Sequence, residues 1–176
     1  VTLHFSSHAI SRLTRAETGI LVNGVRSRTT RILEAGDLLT VETGDHRPPR
    51  TAVTPGDWPL PVVWEDGHLL VVNKPAGMTA HASNFLPDTP TVAGALAWHR
   101  GTAFIFHPVN RLDRNTSGLV LCAKNAYAAP LLGQSAEKWY LALVQGAPPA
   151  QAGLIDAPIA RAPGSIILRR VDPAGK

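Results

Sequence analysis

Between His107 and Asn125 the chain reads HPVNRLDRNTSGLVLCAKN. Arg111, Asp113 and Arg114 crowd a polar stretch closed by Asn115, Thr116, Ser117 and Gly118, and an apolar run from Leu119 to Ala123 follows at once. A carboxylate between two guanidinium groups at the mouth of a buried strand must be paired or neutralised, because an isolated charge is costly away from water. The plain reading is a salt-bridged turn. The chemical reading is an aspartate kept ionised by its cationic neighbours.

Other residues with chemical potential are few. Tyr140 follows Lys138 with Trp139 between them, and Arg26, Arg28 and Arg31 lie close together near the N-terminus. His4 and His8 are spaced for a metal but lack a cysteine or acidic partner, so no metal is expected. There is no glycine-rich phosphate loop, no Gly-x-Ser-x-Gly elbow and no seat for a redox cofactor. The sequence therefore points to chemistry without a cofactor. Cys122, the single cysteine, sits in the apolar run and reads as a small buried hydrophobe.

These residues need a scaffold. Residues 1–46 read as a small β-rich module: Gly19 to Asn23-Gly24 is a strand with a hairpin turn, and Leu33 to Val41 is a turn feeding a second strand. Ile10 to Arg15 reads as a short mixed segment, and no first helix is evident. Residues 47–61 carry Pro48, Pro49, Pro55, Pro59 and Pro61 and read as an extended linker. Residues 62–176 then alternate strand and helix patterns. Val62 to Trp64 and Leu69 to Val72 pair across Glu65-Asp66-Gly67; Thr91 to His99 is a helix with Thr89 or Thr91 as its cap; Phe104 to Phe106 and Gly118 to Ala123 are strands. Asn125 to Gln134 is helical despite Pro130, and Trp139 to Val144 and Ile166 to Val171 are strands.

The chain has 176 residues, 44% of them hydrophobic and 17% charged, values of a globular protein. No apolar run approaches the roughly 20 residues that span a bilayer. No secretion signal is visible, so a cytoplasmic location is the default expectation. The net charge of +4, carried mostly by arginines, permits a polyanionic partner.

Three motifs in order give a resemblance. Trp64-Glu65-Asp66 with Leu69 to Gly77 and His81, then Asn110 to Leu119, then Lys138 to Val144 with Gly146, resemble the successive motifs of the RluA-type pseudouridine synthases. The family form of the second is His-Arg-Leu-Asp-x-x-Thr-Ser-Gly, and Asn110 stands where histidine is usual. Residues 1–46 are similar to the small RNA-binding module found in the fourth protein of the ribosomal small subunit. The resemblance implies an α+β domain with a mainly antiparallel central sheet and flanking helices. It implies isomerisation of uridine in ribosomal or transfer RNA, with no cofactor, by a monomer bound to RNA. It assigns Asp113 to the nucleoside and Tyr140 to stacking and proton transfer. It assigns Arg111 to the space left by a flipped base, and Arg114, Lys74, Lys138, Arg26, Arg28 and Arg31 to RNA. Family members continue beyond the motifs seen here, so the catalytic domain is expected to be incomplete. A non-catalytic RNA-binding protein on the same scaffold is the alternative; a hydrolase using Asp113 lacks any elbow or metal.

Overall fold

The computed structural model describes residue 5 and residues 7–44, 53–82, 88–165 and 168–175. His4, the side chain of His8, Pro48, Pro49 and Ile166 lie outside the described residues. The chain divides into two units, Val1–Glu137 and Lys138–Lys176.

The first unit opens with α1 (Ser7–Arg15), which the sequence reading missed. Its apolar signal is short: Ile10 and Leu13 lie three apart on one face, and only Leu13 is buried. Arg12 and Arg15 fall in the last turn, where the helix dipole favours cations. A three-stranded antiparallel sheet follows, ordered β2-β1-β3, from β1 (Ile20–Val22), β2 (Val25–Arg26) and β3 (Leu39–Val41). Asn23 and Gly24, both at positive φ (53° and 78°), make the expected two-residue turn. The Asn23 side chain then ties that turn to the next one. Its Nδ2 donates to Asp37 Oδ1 at 2.6 Å and its Oδ1 accepts the Leu38 N–H at 2.8 Å.

The main sheet is antiparallel, ordered β4-β5-β7-β6 from β4 (Val62–Glu65), β5 (Leu69–Lys74), β6 (His107–Pro108) and β7 (Gly118–Ala123). The mixed, antiparallel architecture expected from the sequence is present. α2 (Val92–Arg100) begins as expected at Thr91, whose hydroxyl accepts the Gly94 N–H at 2.8 Å. The core joins Leu70 and Val72 of β5, Val120 and Cys122 of β7, Val92, Ala95 and Leu96 of α2, and Leu60 and Met78. Residues 53–61 are laid against this core. Gly56 N–H donates to Gly94 O, Asn73 N–H donates to Pro61 O, and Trp58 packs on the cluster.

Two expected strands are corrected. Phe104 and Phe106 pack side-on against the core, and the Phe104 N–H closes a turn on Gly101 O at 3.1 Å, so pairing begins only at His107. Trp139 to Val144 lies in the second unit, outside any strand. Strand formation needs a hydrogen-bonded neighbour, not composition alone. Among the described residues none pairs with it, and Leu141 and Leu143 are fully exposed. α3 (Ala128–Ser135) starts where Asn125 Oδ1 accepts the Tyr127 and Ala128 N–H groups. Pro130 falls in its first turn, where no intrahelical N–H bond is lost. The second unit carries one hairpin, β8 (Ile159–Arg161) with β9 (Arg169–Val171).

Candidate active site

The register of β5 on β7 builds the site. Lys74, the last residue of β5, lies directly opposite Gly118, the first of β7. The turn leaving β5 and the loop entering β7 therefore emerge at the same end of the sheet. The first is Pro75 to Met78; the second is Arg111 to Ser117.

Lys74 joins them. Its side chain is fully buried. Nζ donates to Pro75 O at 3.0 Å, to Met78 O at 2.8 Å and to Arg114 O at 3.2 Å. An ammonium has three protons, and here three carbonyl oxygens surround them. Burial pushes its pKa down, and the negative charge of Asp113 opposes that shift. Lys74, expected from the sequence to contact RNA, faces inward here with its three protons donated to carbonyl oxygens. Two further bonds close the junction. Gly77 N–H donates to Arg114 O at 2.8 Å, and Arg114 Nε donates to Gly77 O at 3.3 Å. Gly77 has φ of 87°, a conformation that disfavours any side chain.

Asp113 sits just before this anchor. Its carbonyl oxygen accepts the Thr116 N–H at 3.1 Å, which makes residues 113–116 a turn. The expectation of a buried aspartate clamped by Arg111 and Arg114 is corrected. Asp113 is exposed, and among the described residues no ion pair or hydrogen bond engages its carboxylate. Sequence adjacency does not bring Arg114 onto Asp113, because the Arg114 side chain is drawn to the turn that leaves β5, where Nε donates to Gly77 O. The terminal nitrogens of Arg114 are left exposed. Asp113 does interact electrostatically with Lys74.

Beside the loop, His81 packs its ring on Phe106, centroids 4.9 Å apart. Desolvation lowers its pKa, and the Arg111 guanidinium lowers it further. The neutral ring is favoured, and the effect places Arg111 within electrostatic reach of His81. Arg111 itself is exposed, without an ion pair among the described residues. Asn110, the departure from the family pattern, is bound through its side chain to β7: Nδ2 donates to Leu119 O at 3.0 Å and Oδ1 accepts the Leu121 N–H at 2.8 Å. Sequence reasoning noted Asn110 only as an oddity. The signal that could have revealed its task was an amide placed just before a strand of unpaired backbone groups.

The remaining candidates are scattered. Lys138 and Tyr140 belong to the second unit, Tyr140 exposed. Arg26 donates to Thr14 O at 3.2 Å, at the C-terminal end of α1. Arg31 lies 3.8 Å from Asp37. Arg28 has no ion-pair or hydrogen-bonding partner for its guanidinium among the described residues and borders an apolar hollow lined by Leu13, Val22 and Val41. Among the described residues no group of three or more His, Cys, Asp or Glu side chains converges, and no helix is long and apolar enough to cross a membrane.

Residues 68–174 match the family model described as RNA pseudouridylate synthase. The chain is 33% identical over 162 residues to the uncharacterised RNA pseudouridine synthase YjbO of Bacillus subtilis, covering 88% of this chain and 57% of that protein. It is 40% identical over 137 residues to ribosomal large subunit pseudouridine synthase D of Zymomonas mobilis, covering 71% and 42%. It is 34% identical over 170 residues to ribosomal large subunit pseudouridine synthase C of Vibrio cholerae, covering 89% and 53%. The chain thus spans about half the length of these relatives.

Proposed function

The chain belongs to the RNA pseudouridylate synthase family, and we propose that the intact protein converts uridine to pseudouridine in structured RNA with Asp113 as the acting carboxylate. The observation that carries this reading is the way the loop is held. Its backbone is pinned at Arg114 by Lys74 and Gly77, while the Asp113 carboxylate is exposed and unpaired. A fixed main chain with an unspent carboxylate suits attack on a substrate atom, since positioning lowers the barrier only if the group is free to react.

The chemistry needs no external reagent. The bond from ribose C1′ to uracil N1 breaks, with Asp113 engaging C1′ or ring C6. The ring turns, and a bond forms from C1′ to C5. The C5 proton leaves, N1 takes up a proton, and Asp113 is released. Product and substrate are isomers. Tyr140 serves proton transfer in this scheme and Arg111 fills the gap left by the flipped nucleotide. Extruding a base costs a few kcal/mol of stacking, offset by pocket contacts. Arg26, Arg28 and Arg31 of the N-terminal module, the terminal nitrogens of Arg114, and Lys138 supply phosphate contacts, and such contacts make affinity fall with salt.

Relatives named for the large ribosomal subunit make ribosomal RNA the first substrate to test. We read the protein as a cytoplasmic monomer whose residues 1–46 bind RNA and whose residues 62–176 belong to the catalytic domain. The alternative of a non-catalytic binder drew on Asn110 as well as on the expected incompleteness of the catalytic domain. The amide of that residue serves the sheet, so its presence is no mark of lost chemistry. The test is to map pseudouridine in cellular RNA with and without the intact gene. A site lost on deletion supports the reading; an unchanged map contradicts it.

A further inference from the structure

Main-chain pairing of β6 with β7 is short. His107 and Pro108 lie opposite Ala123 and Cys122, and Val109 N–H donates to Leu121 O at 2.8 Å. The next groups along that edge of β7 are the Leu121 N–H and the Leu119 carbonyl. A longer β6 would satisfy them with backbone. The Asn110 side chain does so instead, accepting from Leu121 N–H at 2.8 Å and donating to Leu119 O at 3.0 Å. A carboxamide offers the same donor and acceptor as a peptide group, so it adds a rung while the main chain itself departs.

We infer that Asn110 is the positioning residue of the reactive loop: its amide fixes the point at which the backbone leaves the sheet, and so holds Asp113 in place. The inference rests on the reading of Asp113 as the acting carboxylate. Asn110 secures the loop at its entry, and three residues beyond it Asp113 enters the turn closed by Thr116 N–H. Arg114 O, which receives Lys74 Nζ and Gly77 N–H, secures the loop one residue later. Asp113 stands between the two anchors. Loosening the first lets the main chain slide toward longer β6 pairing or away from β7, and either shift moves the carboxylate. Alanine at position 110 provides neither bond. Aspartate keeps the acceptor for Leu121 N–H but has no donor when ionised, and it sets a negative charge beside Leu119 O.

The test uses the intact protein with N110A and N110D, reading turnover, RNA affinity and amide exchange. In N110A the Leu121 and Gly77 amides should exchange about tenfold faster or more, with the core amide of Val72 unchanged. The turnover number should fall about tenfold to a hundredfold. RNA affinity should stay within about threefold, because no phosphate contact is lost. N110D should keep Leu121 protected, speed Gly77 exchange and lose less turnover. If N110A does not fold, N110D carries both measurements. Unchanged Gly77 exchange in a folded variant overturns the inference, as does a turnover loss no larger than the loss of RNA affinity. A wild-type protein without isomerase activity refutes the reading of function, whereas Gly77 exchange still decides whether Asn110 holds the loop.

Discussion

The ammonium of Lys74 donates to the carbonyl oxygen of Arg114, 40 positions further along the chain, at 3.2 Å. This bond makes the end of one strand the support of the loop that carries Asp113. It also decides what Lys74 is for: the charge serves the fold around the site and does not face RNA.

Replacing Lys74 by methionine keeps most of the buried stem and removes the donors. The buried Met78 carbonyl then loses its lysine partner, and the part-buried carbonyls of Pro75 and Arg114 each lose a bond. Lys74→Met should destabilise the protein by about 1–3 kcal/mol in urea unfolding, the range for buried polar groups left unsatisfied. A variant as stable as the wild type contradicts the clamp.

Glu65 offers a pH test away from the site. Arg100 grips its carboxylate with both Nη atoms and Lys124 Nζ lies 2.7 Å from Oε1, which together hold its pKa down at about 2. A lowered carboxylate pKa gives stability that is present above the ordinary value of 4.5 and is lost as pH falls toward 2. The stability gap between wild type and Glu65→Gln should therefore close over that window. Because the group is open to solvent, added salt should shrink the gap at neutral pH. A gap that is flat with pH contradicts the assignment.

Cys122 is fully buried in β7, and burial pushes its thiol up to about 12. Thiol reagents at about pH 8 act on the thiolate and need access, so labelling should await unfolding. The labelling rate should follow denaturant as the unfolding equilibrium does. Fast labelling of the folded protein contradicts the packing of Cys122 between β5 and α2.

What could be read beforehand was local chemistry. The Asn23-Gly24 turn, the Thr91 cap and the apolar run from Leu119 to Ala123 each carry their instructions in a few adjacent residues, and each formed as expected. The motif order also pointed to the family. What stayed hidden depends on distant pairing. Nothing near Lys74 in the chain says that Gly118 will lie opposite it, so a lysine that closes a junction looked like one for RNA. Arg111 and Arg114 looked like partners of Asp113 because they are close in sequence, yet Arg114 turns to Gly77, 37 positions away. α1 escaped notice because only Ile10 and Leu13 mark its apolar face. Trp139 to Val144 is a short unbroken apolar run bounded by Gly146, and composition does not supply the neighbour a strand requires.

The central claim is that Asp113 performs the reaction on a loop it does not itself stabilise. The direct measurement is pseudouridine formed in RNA from cells lacking the gene, after incubation with the intact protein or with Asp113→Asn. The substitution keeps the side chain's size at an exposed position, so thermal unfolding should shift little. The account expects conversion with the wild-type protein and a loss of at least about 10³-fold with Asp113→Asn at unchanged RNA affinity. Conversion by the variant at a rate near that of the wild type would contradict it.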